Sequence, residues 1–144
     1  GDNVRRHPEL LEEVRRRGHS VGNHTMHHLQ GFKVRSKTYL ADIAEADALI
    51  DSPLFRPPHG LIRWSQARAI KDRYNLVMYD LVTRDYNRRI SHHRVLDNVK
   101  RYARNGSIIV FHDSLKAQRN MQAALPRAIE WLQSEGYELL PIPM

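Results

Sequence analysis

Three of the nine histidines fall within five residues, His24, His27 and His28, in the stretch GNHTMHHLQGF. His24 and His28 stand four residues apart. On one turn of helix both imidazoles would project from a single face and could share a cation. Neutral imidazole suits zinc and similar divalent ions. The spacing also occurs on surfaces that bind nothing. His27, off that face, is expected to face solvent or to stand behind a ligand.

Three further polar clusters could do chemistry. In RPPHG, Arg56 precedes Pro57 and Pro58, whose fixed backbone suits a loop that must position a group. Arg56 could hold a carboxylate through two hydrogen bonds, or simply be a surface arginine before a rigid turn. In SIIVFHD, His112 ends an apolar run and could act as a general acid if a carboxylate orients it. Asp113 would point the other way on a continuing strand. Asp85, in the segment from Asp80 to Tyr86, is the better partner if its loop lies beside that of His112. A strand-end histidine bonded to backbone is the alternative.

These clusters need elements to place them. Leu10, Leu11 and Val14 at helical spacing, with Pro8 before and Gly18 after, predict a helix over about Pro8–Arg17. Leu40, Ile43, Ala44, Ala48 and Leu49 predict a second over about Lys37–Ile50. Helices are also expected over Trp64–Arg73, over Ser91–Arg104 with Ser91 as cap, and over Asn120–Ser134 with a break or new start at Pro126. Strands are expected in HSVGNHT, LFR, Leu76–Tyr79, Ile108–Phe111 and Tyr137–Pro141. The apolar run Ile108–Phe111 suits a parallel strand buried on both faces. Alternating strands and helices argue for a parallel α/β architecture, in which function gathers past the carboxyl ends of strands. All four polar clusters sit at such positions.

The length of 144 residues suits one domain, residues 1–144. Cysteine is absent, which excludes disulfides, a thiol nucleophile and cysteine zinc sites. No apolar run approaches the roughly 20 residues of a membrane span. No segment reads as a signal peptide. Because the chain begins Gly-Asp-Asn rather than Met, upstream targeting is left open. The net charge of +7 favours anionic partners, but the charges are spread along the chain. There is no helix-turn-helix, finger or aromatic-basic signature, so a nucleic-acid partner is not expected.

Taken in order, HTMHH, RPPHG, YDLVTRDY and IIVFHD resemble the motifs of the polysaccharide deacetylases, the NodB-homology carbohydrate esterases. The resemblance covers nearly the whole chain. It implies a distorted (β/α) barrel and the removal of N-acetyl groups from amino sugars of a glycan, peptidoglycan or chitin-like. It implies His24 and His28 as metal ligands, with zinc first and cobalt or nickel as alternatives. Arg56 would hold and tune the catalytic base, and the backbone N–H of His59 would help form the oxyanion hole. Asp85 would tune His112, and His112 would protonate the leaving amine. A secreted or envelope location goes with this family.

The chain departs from the family pattern in three places. His59 stands for a Tyr and Tyr86 for a Trp, which affects substrate contacts. The opening T-F-D-D-G-P motif, source of the base and the third metal ligand, is absent. The expectation is therefore a chain that begins after the first two strands, with an incomplete barrel and low metal occupancy. Sheet edges would be left open to homo-oligomer formation. Asp2 is a weak stand-in for the missing carboxylate. The expected activity is impaired or lost, and the alternative function is a non-catalytic basic module binding glycans or anions.

Overall fold

Backbone geometry rather than apolar spacing decides how the chain starts. His7 precedes Pro8, and a residue before proline is pushed out of the helical region. It takes φ −138°, ψ 61° and separates helix α1 (Asp2–Arg6) from α2 (Pro8–Arg16). The short α1, which buries no residue, was not expected. Gly18 ends α2 at φ 79°, its N–H donating to Arg15 O at 2.9 Å. The computed structural model describes residues 1–144. They form two units, residues 1–78 with 141–144, and residues 79–140.

The first unit is built on α3 (Ser36–Ile50), β1 (Leu54–Phe55), a single 3-10 turn at Pro58–Gly60, α4 (Trp64–Ile70) and β2 (Asn75–Leu76). β1 and β2 run parallel, with Leu54 opposite Asn75 and Phe55 opposite Leu76. Of the strand expected in HSVGNHT, one parallel bridge forms, between Asn23 and Phe55. Asn23 N–H donates to Leu54 O at 2.8 Å, and Arg56 N–H donates to Asn23 O at 3.0 Å. This register sets His24 beside Arg56 at the carboxyl ends of neighbouring segments. α3 buries Tyr39, Ile43, Ala46 and Ile50, whereas Ala44, Ala48 and Leu49 are exposed. The helix is thus turned from the expected face, because Tyr39 brings a large aromatic surface to the core. Tyr39 and Ile43 pack with Phe55, Ile70 and Tyr74, and Ala46 and Ile50 pack with Met26.

The second unit holds β3 (Leu81–Val82), α5 (His92–Tyr102), β4 (Ile109–Val110) and α6 (Gln118–Ser134). β3 and β4 are parallel, Leu81 opposite Ile109 and Val82 opposite Val110. Residues 107–112 are half-buried rather than buried, and β4 pairs with one strand only, which leaves its other edge without a strand. Ser91 caps α5, its Oγ accepting from Arg94 N–H at 3.3 Å. Val99 on α5 packs against Ala128 and Leu132 on α6. Pro126 does not break α6. Pro126 and Gln122, whose carbonyl loses its helical partner, both lie exposed, so water can replace the lost bond. Tyr137–Pro141 forms no strand, having no partner. The strands pair two by two and close no barrel. No helix is long and apolar enough to cross a membrane.

Candidate functional site

In the first unit the HTMHH segment is not helical. Thr25 and His28 take the left-handed region at φ 67° and 56°, so the chain turns sharply between the two histidines. The sharp turn, and not a helix face, brings their rings together, with centroids 5.0 Å apart. His24 is half-buried, and its Nδ1 lies 2.5 Å from the carbonyl oxygen of Arg56. A carbonyl only accepts, so Nδ1 carries the proton and Nε2 keeps its lone pair. Burial lowers the His24 pKa to about 4. The bond to Arg56 opposes this, and the neighbouring His28 and Arg56 charges reinforce it. A neutral imidazole with Nδ1 tied to a carbonyl and Nε2 available is the state a metal ligand needs. On that observation the residues fit a divalent cation.

Arg56 is fixed at its stem, Nε donating to Val77 O at 3.0 Å. His59 lies in the Pro58–Gly60 turn at φ 60°, ψ 9°, and its ring centroid is 4.9 Å from that of His28.

The segment is held from behind by a residue that sequence reasoning missed. Asp42, on α3 and 6% exposed, accepts the N–H groups of Met26 at 3.0 Å and His27 at 3.1 Å on Oδ2. Its Oδ1 accepts His27 Nδ1 at 2.5 Å. Burial pushes the Asp42 carboxyl up, but the His27 side-chain and backbone hydrogen bonds outweigh it and hold it below the usual range. His27 is raised in turn, chiefly by its bond to Asp42. His27, Asp42 and Glu45 bring ligand atoms within 4.8 Å of one another. Those atoms already serve as a clamp, because Glu45 pairs with Arg5 and Asp42 accepts three donors. Asp2 lies by this clamp, its carboxylate 3.9 Å from His27 Nε2.

In the second unit Asp85 is fully buried at the end of β3 and His112 follows β4. Asp85 Oδ2 accepts the His112 backbone N–H at 2.6 Å, and Oδ1 faces His112 Nδ1 at 2.7 Å. The bond fixes the ring and leaves Nε2 to handle a proton. Tyr86 N–H also donates to Asp85 Oδ1, at 3.0 Å, and the Tyr86 ring stands edge-on to His112 at 4.8 Å and 81°. Asn120, also missed from the sequence, ties this loop through the carbonyls of Asp85, Asn87 and Ile90 at 3.1–3.3 Å. Asp80 serves architecture instead, accepting Ser107 Oγ at 2.9 Å and Ile108 N–H at 2.8 Å.

Comparison with known proteins agrees with these motifs. A peptidoglycan-N-acetylglucosamine deacetylase of Bacillus cereus is 28% identical over 151 residues, covering 99% of this chain and 70% of its own length. Chitin deacetylase 2 of Saccharomyces cerevisiae is 29% identical over 128 residues, covering 79% of this chain. This chain spans 41% of that relative's length, and 54% of a second Bacillus cereus deacetylase. The structure of peptidoglycan deacetylase PdaC from Bacillus subtilis superposes with a TM-score of 0.89 at 26% identity, over 99% of this chain and 70% of that one. A family 4 carbohydrate esterase from Streptomyces lividans does so with a TM-score of 0.78 at 26% identity, over 91% and 69%. The fold is α/β of the NodB type with its barrel incomplete. The family model for polysaccharide deacetylase matches residues 1–78, and the chain belongs to the polysaccharide deacetylase family.

Proposed function

We propose that this chain carries metal- and glycan-handling parts of an N-deacetylase acting on N-acetylated amino sugars. The relatives named for peptidoglycan and chitin deacetylation support that substrate class. The observation that carries the reading is the His24–His28 pair, with His24 neutral and its Nδ1 committed to Arg56 O. Zinc fits this donor set best, with cobalt and nickel close behind. When bound, such an ion polarises a carbonyl and lowers the pKa of water. The chain's own residues do the rest. Arg56 steadies the site through its fixed stem, and the His59 N–H supplies a donor toward the developing oxyanion. In the second unit His112, oriented by Asp85, is the candidate general acid: with both ring nitrogens protonated it would give the Nε2 proton to a leaving amine and return to the Nδ1-protonated form. Tyr86, edge-on to His112, is the aromatic surface that a substrate held at His112 would meet. A peptidoglycan substrate would place the protein at the cell envelope.

The 144 residues contain no Asp-Asp dipeptide, the motif from which the family resemblance draws the base and the carboxylate ligand. Asp2 is engaged near His27 instead. Little or no turnover is therefore expected from this chain. Acetate release from N-acetylated chito-oligosaccharide, with added zinc or cobalt, is the test. Robust release abolished by His112→Ala would show that another residue serves as base. The second reading, a basic glycan- or anion-binding module, rests on the net charge of +7. It requires binding that salt weakens and chelator leaves unchanged.

A further inference from the structure

The second unit holds a cavity that the four motifs do not account for. It has a volume of about 470 Å³ and is lined from β3, the loop after it and α5. None of Asp85, Tyr86 and His112 lines it, so it is separate from the candidate general acid. Arg84, Arg94 and Arg104 face it together with a single carboxylate, Asp80. Asp80 is already engaged, accepting Ser107 Oγ and Ile108 N–H and pairing with Arg104 Nε at 3.3 Å. Of the three arginines only Arg104 has a carboxylate partner, so Arg84 and Arg94 bring uncompensated positive charge to one cavity.

Both of these arginines stand where local structure disfavours them. Arg84 takes the left-handed region at φ 63°, which suits Gly or Asn. Its neighbours impose that conformation. Thr83 and Asp85 are fully buried, Thr83 Oγ1 donating to Val110 O at 2.8 Å and Asp85 accepting His112 N–H at 2.6 Å. Arg94 lies in the first turn of α5, where the helix dipole opposes a cation and no acidic residue offsets it. Local conflicts of this kind gather where a side chain serves something other than folding. Two unpaired guanidinium forks suit a phosphate, with three terminal oxygens and up to two charges, better than a carboxylate with one. The volume falls within the roughly 300–1,000 Å³ of small-molecule sites, so the body carrying the phosphate fits as well. That body meets polar groups. Asn98 Nδ2 donates to Thr83 O at 3.1 Å and leaves its Oδ1 as an acceptor, and Tyr102, 54% exposed, offers its hydroxyl.

We propose that this cavity binds a phosphate-bearing sugar unit, with Arg84 and Arg94 on the phosphate and Asn98 and Tyr102 on the sugar hydroxyls. The site belongs to the second unit and does not depend on the metal pair of the first. It gives the anion-binding reading a defined place rather than a diffuse charge.

The test is calorimetric titration of the full chain, with chelator present, using N-acetylglucosamine 1-phosphate, its methyl phosphodiester, uncharged N-acetylglucosamine and inorganic phosphate. Wild type is compared with Arg84→Asn, Arg94→Gln and the control Lys37→Gln/Arg68→Gln, which removes exposed charge from the first unit. Asn tolerates the left-handed backbone and Gln is a good helix former, so a loss seen in both variants is not a folding failure. The expected result is one saturable site for the sugar phosphate, with the uncharged sugar and inorganic phosphate each at least about tenfold weaker. Each arginine variant should lose about tenfold or more, the scale of a hydrogen bond to a charged group, and the control should stay within about twofold. Equal binding of the diester would place the sugar unit within a polymer, and preference for the monoester would make it a free sugar phosphate. Inorganic phosphate binding as tightly as the sugar phosphate would overturn the sugar assignment. Arginine variants that bind like the control would overturn the site and leave only attraction spread over the surface. No saturable binding of the sugar phosphate at millimolar concentration would overturn it as well.

Discussion

At the scale of single residues, the site depends on groups that fix hydrogen-bond direction. Asp42 is the clearest case, since one buried carboxylate accepts two backbone N–H groups and the His27 ring. Asp42→Ala leaves those donors without a partner, which costs about 1–3 kcal/mol. Urea unfolding should show that loss, and zinc affinity should fall with it because the His24–His28 turn is no longer held. Asp85 does comparable work for His112. Asp85→Asn keeps the volume but offers one acceptor oxygen to donors that now share two. Nitrogen NMR of His112 should show the Nδ1-protonated form in the wild type and a shift toward the other tautomer in the variant, with a stability loss of about 1.5–3 kcal/mol. The histidine pair was legible in the sequence, but for a different physical reason. Spacing suggested a helix face, and the actual turn uses left-handed Thr25 and His28. Asp42 was illegible because no spacing rule links it to residues 16 and 15 positions earlier in the chain.

At the scale of elements, caps and ties set the stability of the second unit. Ser91→Ala removes the N-cap of α5 and should cost about 0.5–2 kcal/mol in thermal or urea unfolding. Asp80 binds β3 to β4 through Ser107 and Ile108, and its carboxyl is held below the usual range, first by the Ser107 hydroxyl. A depressed carboxyl contributes stability above its unfolded value, about 3.9. That contribution disappears as pH falls through the lower folded value. Asp80→Asn should therefore flatten the acid limb of the stability profile below about pH 4 and leave its slope near neutrality unchanged. Helices were legible to within a residue or two for α2, α3 and α5, because caps and proline act locally. The facing of α3 was not, since Tyr39 and Ala46 rather than Ala44 and Leu49 meet the core. Strands were the least legible. Each paired strand is two residues long, and whether Tyr137–Pro141 pairs depends on a partner elsewhere in the chain.

At the scale of the whole molecule, family membership was legible because four motifs keep their order, and the family match over residues 1–78 bears it out. His24, His28 and Arg56 belong to the first unit and Asp85 and His112 to the second, and each group of candidate residues is held by hydrogen bonds within its own unit. The charge of +7 favours nonspecific attraction to anionic polymers, which salt would weaken. Glycan handling through a bound ion has a different signature. Calorimetric titration of the chain with a short N-acetylglucosamine oligomer, at physiological salt, separates the two. With zinc present, binding is expected, and both chelator and His28→Ala should remove it. Equal affinity with zinc, with chelator and in His28→Ala would contradict the metal-dependent account.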